Sequence, residues 1–352
     1  MAQPHRTYLE FEKPIAELEA KIDELSIAAA KSGAPAMGDE ITRLREKATS
    51  QLEEIYANLD PWQKTMVARH PERPHFSDFV EALVTEYTEL SGDRKYADDQ
   101  AILGGLGRFK DIPCVLIGHE KGRTTTERLR HNFGMANPEG YRKAVRLMDM
   151  AEQFRLPVIT FVDTAGAYPG LGAEERGQAE AIARSTERCL TLGSPMVSVI
   201  TGEGGSGGAV ALASGNKVFM LEHAVYSVIS PEGAASILFR DAGRARDAAI
   251  AMKITAQDCL AMRVIDGVIE EPMGGAHRDR EQTFTAVAAA VVGALGELGS
   301  LDAQALREQR RERFFAIGRL GLPAEAPSQP VMRTIDGGKL KSPRSEKPKR
   351  KR

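Results

Sequence analysis

Apolar side chains recur at helical spacing in the first part of the chain, residues 1–92. Within each of two runs they share one helix face. The runs are Ile15, Leu18, Ile22 and Leu25, then Ile41, Leu44, Ala48 and Leu52. A third helix is predicted from Ser77 to Leu90, after the breaker H-P-E-R-P and before Ser91-Gly92. We expect this helical region to pack on the rest of the protein or to contact another subunit.

After residue 92 the sequence pattern changes and predicts short strands rich in Ile, Val and Gly. Ala101 to Phe109 and Ile112 to His119 predict a β-hairpin. A helix is predicted from Pro138, because Asn137 is a favourable N-cap and proline is favoured at the first helical position. The strand Pro157 to Val162 then leads into the loop D-T-A-G-A-Y-P-G.

The second half of the chain continues to alternate strands and helices. A strand after Ser194 ends in a glycine-rich turn that opens a helix, and Ser230-Pro231 starts another helix. The other predicted helices are Ala173 to Leu190, Thr255 to Met262, Arg280 to Leu298 and Leu301 to Gly318, and the other predicted strands are Lys217 to Leu221, Ala224 to Ile229 and an exposed one in V-I-D-G-V-I-E-E-P. Strand pairs between helices predict an α/β fold of stacked strand-strand-helix units.

The composition fits a globular chain. Its 352 residues, 42% hydrophobic and 27% charged, suffice for one large α/β domain with extensions or for two small domains. The longest apolar run, Ala286 to Leu295, is too short for a bilayer, and Met1 to Lys13 has no signal-peptide core. Cys114, Cys189 and Cys259 are too far apart to indicate a disulfide framework or a zinc site. We therefore expect core thiols in a soluble cytoplasmic protein without membrane contact.

Charge is distributed unevenly along the chain. Residues 323–352 hold nine Lys/Arg against three Asp/Glu, a local charge of +6, whereas the whole chain has a formal charge of -2. The final stretch K-S-P-R-S-E-K-P-K-R-K-R has no apolar residue and predicts a disordered basic tail over residues 321–352. Two roles remain open for such a tail, solubilisation and binding of a phosphate-rich partner such as nucleic acid.

The turn T-G-E-G-G-S-G-G-A is the stretch that most strongly indicates a functional site. It contains Gly202, Gly204, Gly205, Gly207 and Gly208. Glycine has no Cβ, so another molecule can approach the backbone closely while free N–H groups at the helix start point outward. Such a turn suits an anion, or an oxygen that is about to become one.

Two site chemistries compete for this turn. Gly202, Gly204 and Gly207 match the dinucleotide pattern G-x-G-x-x-G, and Glu222 lies twenty residues further on. Only about two helical turns fit after Gly208, too few for the crossover of a dinucleotide fold. The alternative is an oxyanion hole, in which the N–H groups of Gly207 and Gly208 stabilise a carbonyl oxygen that gains charge. A purely steric turn accounts for one or two glycines, not for five.

Several long motifs resemble one enzyme family. Besides G-E-G-G-S-G-G-A, they are D-T-A-G-A-Y-P-G, A-E-E-R-G-Q, Y-S-V-I-S-P-E-G-A-A-S-I-L and P-I-A-E-L-E. From about Phe11 to Leu320 the chain is similar to the carboxyltransferase alpha subunit of bacterial acetyl-CoA carboxylase. The resemblance implies a crotonase-like (ClpP/crotonase) superhelix of stacked ββα units in residues 93–320, including C-terminal helices, with residues 1–92 as an N-terminal helical extension. The basic tail, 321–352, lies outside it.

The resemblance also implies a function that is shared with other proteins. Members of the family transfer a carboxyl group from carboxybiotin to acetyl-CoA, giving malonyl-CoA for fatty acid synthesis. Biotin is carried on a separate biotin carboxyl carrier protein, which a biotin carboxylase loads. The chain is expected to act only with a beta subunit, in an α2β2 heterotetramer. No metal is expected on this chain, and zinc is expected on the beta subunit.

Site residues follow from the resemblance in the same way. Gly207 and Gly208 are implied to hold the ureido oxygen of biotin through their N–H groups, and a Cβ at Gly207 is expected to collide with the biotin ring. Freed biotin is implied to accept the proton of the acetyl group. The implied substrate-binding residues are Gly204, Gly205 and Ser206 on the turn and Gly166, Ala167 and Tyr168 as a wall of the pocket.

Some features allow other interpretations. A stand-alone acyl-CoA hydratase or isomerase of the crotonase superfamily needs a carboxylate base, for which Glu203 and Glu232 are candidates by position. Lys253 lies in A-M-K-I, which imitates a biotin-attachment sequence, but its surroundings have helical spacing rather than the exposed hairpin that attachment requires. The basic segment with Lys121, Arg123, Arg128 and Arg130 is expected to contact CoA phosphates or the carrier protein, or to be a solvated face.

Overall fold

Two long helices begin the part of the chain that the structure describes. The computed structural model describes residues 6–32 and 35–319. Helix α1 (Lys13–Ser32) and helix α2 (Pro35–Ala57) pack on each other through a small apolar cluster around Ile22, Ile41 and Ala48. Both helices were predicted from their apolar faces, and both are confirmed. The predicted tail, residues 321–352, lies outside the described residues.

The third predicted helix is half wrong. Helix α4 (Phe76–Leu83) ends early, and strand β1 (Val84–Glu89) takes the rest of the predicted segment. The sequence V-T-E-Y-T-E favours a strand, since β-branched and aromatic side chains fit a pleated sheet. A short helix, α3 (Pro61–Ala68), was not predicted, although Asp60 caps it by accepting from the N–H of Gln63 at 2.9 Å.

A single sheet of eight strands organises the remainder. Its order is β1-β2-β3-β4-β5-β6-β8, and β7 pairs with β5 outside this path. The first three strands are antiparallel and the later pairings are parallel. The strands after β1 are β2 (Ile102–Phe109), β3 (Ile112–His119), β4 (Val158–Thr164), β5 (Met196–Gly205), β6 (Lys217–Leu221), β7 (Val225–Ser227) and β8 (Gly267–Ile269). The predicted hairpin is confirmed as β2 and β3, and the α/β fold is confirmed as well.

Strand β5 connects two parts of the sheet. Its residues 197–200 pair with β6, and its residues 203–205 pair with β7, while β4 runs along its other side. Strand β4 is buried along its whole length, as expected for a parallel strand covered on both faces. The carboxyl ends of β4 and β5 therefore lie side by side, and the site is built there.

Ten further helices surround the sheet in the described ranges. They are α5 (Thr125–Arg130), α6 (Pro138–Phe154), α7 (Leu171–Glu175), α8 (Gln178–Thr191), α9 (Ser206–Val210), α10 (Pro231–Phe239), α11 (Ala245–Met252), α12 (Ala256–Ala261), α13 (Arg280–Leu298) and α14 (Ala303–Arg319). No single one of these helices, nor α1 to α4, is long and apolar enough to cross a bilayer. Helices α13 and α14, which meet at an angle of 118°, satisfy the criteria of length and composition only as a pair.

Three predicted elements need correction. The helix expected from Ala173 to Leu190 is broken between α7 and α8, because Gly177 adopts a φ of 81°, outside the helical region. The strand expected from Ala224 to Ile229 is only the three residues of β7. The last strand, expected to be exposed, is β8, which pairs with β6 and buries Ile269.

Candidate active site

The glycine-rich turn lies at the end of β5, where the chain enters the five-residue helix α9. The N–H groups of Ser206, Gly207 and Gly208 are in the first helical turn, so they have no partner within the helix. Ser206 has a φ of 52°, a left-handed conformation that a non-glycine residue adopts only at a cost of about 1–3 kcal/mol. The predicted strand, turn and helix are confirmed here, with a strained residue at the junction.

The loop after β4 supports this turn from behind. A Cβ on Gly205 would collide with the carbonyl oxygen of Ala165, and a Cβ on Gly208 would lie 2.9 Å from the backbone nitrogen of Ala167. Two of the predicted wall residues, Gly166 and Ala167, therefore contact the turn. Tyr168 turns toward Gly170 and accepts a hydrogen bond from Gln178 Nε2 on its carbonyl oxygen at 2.9 Å.

A cavity of about 460 Å³ opens in front of the turn. Ser206, Gly207 and Val210 form one side of it, and Tyr226, Ser227 and Val228 form another. Residues 252–254, Cys259, Met262 and Val264 complete the lining. Gly204, Gly205 and Gly208 are buried one layer behind Ser206 and Gly207. The structure thus brings two of the predicted turn residues to the cavity surface.

Gly207 also has a close neighbour within the protein. A Cβ at this position would lie 3.3 Å from Cγ2 of Ile182 on α8, which is tighter than most side-chain contacts. Some of the glycines in the turn are therefore explained by the close packing of α9 on its neighbours. Helix α8 leaves little room for a side chain at Gly207, and the loop after β4 leaves none at Gly208.

The cavity offers no carboxylate or imidazole base. Among the described residues that line it, none is Asp, Glu or His. Burial raises the pKa of Tyr226 and of Cys259 to about 12 in each case, so both side chains are neutral near pH 7. The remaining ionisable residue is Lys253, which caps the C-terminal end of α11 and lies 3.9 Å from Asp258. It does not lie on a hairpin, in agreement with its helical spacing.

The two carboxylates considered as bases are both engaged by one arginine. Arg69 Nε donates to Glu203 at 2.6 Å, and Arg69 Nη1 donates to Glu232 at 2.5 Å. Burial raises the pKa of Glu232, but the hydrogen bonds to this carboxylate and the charge of Arg69 together outweigh burial and hold the pKa below its usual range. Neither carboxylate is placed as a free base, and the role of Arg69 was not predicted from the sequence.

Lys121 corrects the interpretation of the basic segment. Its ammonium lies 2.6 Å from Asp163 and 3.3 Å from Glu203, with only 16% of the side chain exposed. Although burial raises the pKa of Asp163, Lys121 holds it far below its usual range. Lys121 is therefore an internal partner of the carboxylates beside the turn, and neither a solvated residue nor a CoA contact. Arg123 and Arg130 remain exposed.

The three cysteines are buried and unpaired, as predicted. Within residues 6–32 and 35–319, no group of three or more His, Cys, Asp or Glu side chains is arranged to hold a metal ion.

Comparison with known proteins identifies the family. Residues 8–318 match the model of the acetyl co-enzyme A carboxylase carboxyltransferase-like family. The chain is 65% identical over 315 residues to the acetyl-coenzyme A carboxylase carboxyl transferase subunit alpha of Caulobacter vibrioides, which covers 90% of this chain and 98% of that protein. The chain belongs to this family. The subunit alpha of Methylobacterium nodulans is 64% identical over 314 residues, covering 89% of this chain and 99% of the relative.

Solved structures agree with this family in fold. The transcarboxylase 12S core has a TM-score of 0.53 at 17% identity, over 65% of this chain and 42% of that chain. The beta subunit of P. aeruginosa geranyl-CoA carboxylase has a TM-score of 0.51 at 16% identity, over 70% of this chain and 46% of that one. The chain spans less than half the length of either structure. The predicted crotonase-like fold of this carboxyltransferase alpha-subunit family member is confirmed.

Proposed function

We propose that the chain is the alpha half of a carboxyltransferase that moves a carboxyl group from carboxybiotin on a carrier protein to acetyl-CoA, giving malonyl-CoA. The observation that carries this proposal is the position of Ser206 and Gly207, whose N–H groups begin α9 at the edge of a cavity that no Asp, Glu or His among the described residues lines. Such a cavity can stabilise charge on an oxygen, but its base must come from elsewhere.

The cavity residues fit the ureido ring of biotin. A volume of about 460 Å³ is in the range of small-ligand sites. Val210 and Val228 offer apolar walls for the ring. The N–H group of Gly207, at the cavity surface, and that of Gly208, in the same first turn of α9 but buried, are the donors that we propose for the ureido oxygen. Bound carboxybiotin would supply the carboxyl group. The part of this chain is to hold that oxygen, orient the ring and exclude water.

The remaining predicted residues act from behind the cavity. Gly204 and Gly205 let β5 pass close to the loop after β4, and Gly166 and Ala167 fix the position of Gly208. Ser206 is at the cavity surface, where its strained backbone sets the direction of the following N–H groups. Tyr168 belongs to the same loop and closes it over Gly170.

An alpha subunit implies a beta subunit, and we place the second half of the site on it. That half would bind acetyl-CoA, hold the thioester oxygen and carry zinc, in an α2β2 assembly served by the carrier protein and the biotin carboxylase. Exposed apolar side chains at the cavity and on α10 support a protein contact: Val228 at the cavity is 81% exposed, and on α10 Ile237 is 72% and Leu238 63% exposed.

Reconstitution tests the proposal. The purified chain is combined with the beta subunit of the same organism, carboxylated carrier protein and acetyl-CoA, and malonyl-CoA is measured. We expect no product from either subunit alone and steady formation from the mixture. Malonyl-CoA formation by the isolated chain would contradict the shared site, and no formation by the complete mixture would contradict the reaction.

The hydratase or isomerase alternative is not favoured. It requires a free carboxylate at the cavity, and both candidates, Glu203 and Glu232, are ion-paired with Arg69. Incubation of the isolated chain with crotonyl-CoA measures this alternative directly, and we expect no hydration.

A further inference from the structure

Arg69 joins the glycine turn to the start of α10, which follows β7. It follows α3 as the C-cap residue and belongs to the helical region that was expected only to pack or to contact a subunit. One of its partners, Glu203, lies four residues before Gly207, and the other, Glu232, lies four residues after Val228. A single guanidinium thus holds the glycine turn and the start of α10 together.

The glycine-turn side of this link is fixed in place. Glu203 also accepts from Lys121, and its own N–H donates to Asp163 Oδ1 at 2.8 Å. The exposed fraction of the side chain is 12% for Glu203 and 5% for Asp163. Because these groups sit at the ends of two buried parallel strands, they form a rigid base for Arg69.

The α10 side of the link is more exposed. The side chain of Glu232 is 40% exposed, compared with 12% for Glu203. Helix α10 packs on α11 through Ala234, Ala235 and Ala248, with Ile229, Phe239 and Met252 packed against them. The end of β5 pairs with β7 up to Ser227, and the Arg69–Glu232 pair links the turn to the residues that follow this pairing.

We propose that Arg69 is a positioning residue that holds the segment 228–232, which lies beyond the pairing of β7 with β5, at a fixed distance from the glycine turn, and so keeps the cavity at the width of the biotin ring. This inference rests on the function proposed above. Arginine suits the task because its planar fork can bond two carboxylates at once in fixed geometry, whereas a lysine ammonium is a point charge on a flexible stem.

Hydrogen–deuterium exchange tests the link without any catalytic readout. In the alpha–beta complex, Arg69→Gln should speed the exchange of amides in 226–239 by about tenfold, because partly buried charge-assisted hydrogen bonds are lost. Exchange in β2 and β3 should not change. Arg108→Gln is the matched control, since Arg108 pairs with Glu86 at the other edge of the sheet with both side chains exposed.

Kinetics of the same complex separate positioning from general damage. With malonyl-CoA and free biotin as substrates, Arg69→Gln should raise the KM for free biotin by roughly fivefold or more while the KM for malonyl-CoA changes less than about twofold. Arg69→Lys should give an intermediate KM for biotin. Glu232→Gln should behave like Arg69→Gln, and the double variant should be no worse than Arg69→Gln alone, because both changes break one link.

Specific results would overturn the inference. Unchanged exchange in 226–239 in Arg69→Gln would do so, as would equal rises in both KM values or additive losses in the double variant. If Arg69→Gln folds poorly, the same exchange and KM measurements on Glu232→Gln and Arg69→Lys decide whether Arg69 positions the segment. A wild-type complex that transfers no carboxyl group would refute the proposed function, and the exchange experiment would still decide whether Arg69 holds α10.

Discussion

The guanidinium of Arg73 and the carboxylate of Glu271 form a buried pair with two hydrogen bonds, of 2.8 and 2.5 Å. The exposed fraction of the two side chains is 1% and 0%. Arg73 Nε also donates to the carbonyl oxygen of Thr201 at 2.5 Å, and Thr201 lies directly before the glycine-rich turn. The pair therefore connects the segment after α3, the end of β8 and the last part of β5.

Removal of Arg73 should destabilise the protein strongly. Arg73→Met leaves the Glu271 carboxylate buried without a cation, which costs about 3–5 kcal/mol in the free energy of unfolding. The double variant Arg73→Met/Glu271→Met should be less destabilised than the sum of the two single variants, because no charge stays buried. Urea unfolding followed by circular dichroism measures both values. A loss under about 1 kcal/mol in Arg73→Met would contradict this account of the pair.

Acid should weaken the fold in two stages. His119 is buried, and burial lowers its pKa from 6.5 to about 3, so the unfolded chain binds its proton first and stability falls as the pH drops from 6.5 toward 3. For Glu271, burial raises the pKa but Arg73 outweighs it and sets the pKa at about 2, below its usual 4.5. Its contribution is therefore complete above pH 4.5 and lost between 4.5 and 2.

The variant His119→Leu measures the share of His119 in the first stage. Burial also lowers the pKa of His70, His223 and His277, so these histidines contribute to the same stage. The variant removes one proton-binding group of the unfolded chain, so its free energy of unfolding should fall less steeply below pH 6, by up to about 1.4 kcal/mol per pH unit. Urea unfolding at several pH values between 7.5 and 4 measures the two slopes. Equal slopes in wild type and variant would show that His119 does not carry this dependence.

Arg310 should be a second point of high sensitivity. Its buried guanidinium on α14 donates to the carbonyl oxygens of Cys189 and Leu192 at 2.7 Å each, and to that of Ser194 at 3.0 Å. Arg310→Met leaves these acceptors unsatisfied between α8 and β5, so we expect a loss of at least about 3 kcal/mol. The neighbouring Arg311 is exposed, and Arg311→Met should change stability by no more than about 0.5 kcal/mol. Equal melting temperatures of the two variants would contradict the stabilising role of the Arg310 hydrogen bonds.

Lys121 and Arg130 should respond differently, although the sequence placed them in one basic segment. Lys121→Met leaves the buried Asp163 without its lysine and Glu203 with Arg69 alone, at a cost of about 3–5 kcal/mol. Arg130 is exposed and donates to Gln100 at 3.2 Å, so Arg130→Met should stay within about 0.5 kcal/mol of wild type. Chemical denaturation of both variants measures the difference in the free energy of unfolding. Equal stabilities would indicate that Lys121 is a solvated residue, as the sequence allowed.

Local signals predicted the elements that carry the turn. Ser230 was expected to cap α10, and its hydroxyl accepts from the N–H of Gly233 at 3.1 Å. The apolar run before the glycines predicted β5, and the missing side chains at Gly205 and Gly208 correspond to real close approaches. These features depend on the residue itself or on neighbours within a few residues, so they can be predicted from a single sequence.

Distant pairings were not predictable in the same way. Arg69 and Glu203 are 134 residues apart, and Lys121 and Glu203 are 82 apart, so no periodicity marks them as partners. The segment 84–89 has the β-branched and aromatic residues of a strand, but its pairing partner, β2, lies further along the chain, so the end of the predicted helix was placed too late. The direction of a Cβ at Gly207 likewise depends on α8, which is set by the fold as a whole.

The N–H group of Gly207 can be tested separately from its missing side chain. Gly207→Ala and Gly207→Pro both place a carbon 3.3 Å from Ile182 Cγ2, but only proline removes the N–H. Proline is tolerated in the first helical turn, where this N–H has no partner in the helix. If Gly207 is an oxyanion donor, the alanine variant in the alpha–beta complex should keep most of its kcat, and the proline variant should lose about 10²–10³-fold relative to it. Melting temperature and beta-subunit binding of the two variants provide the control for folding, because proline also restricts Ser206. Equal kcat values in two well-folded variants would remove Gly207 from the oxyanion hole and leave it a packing residue beside α8.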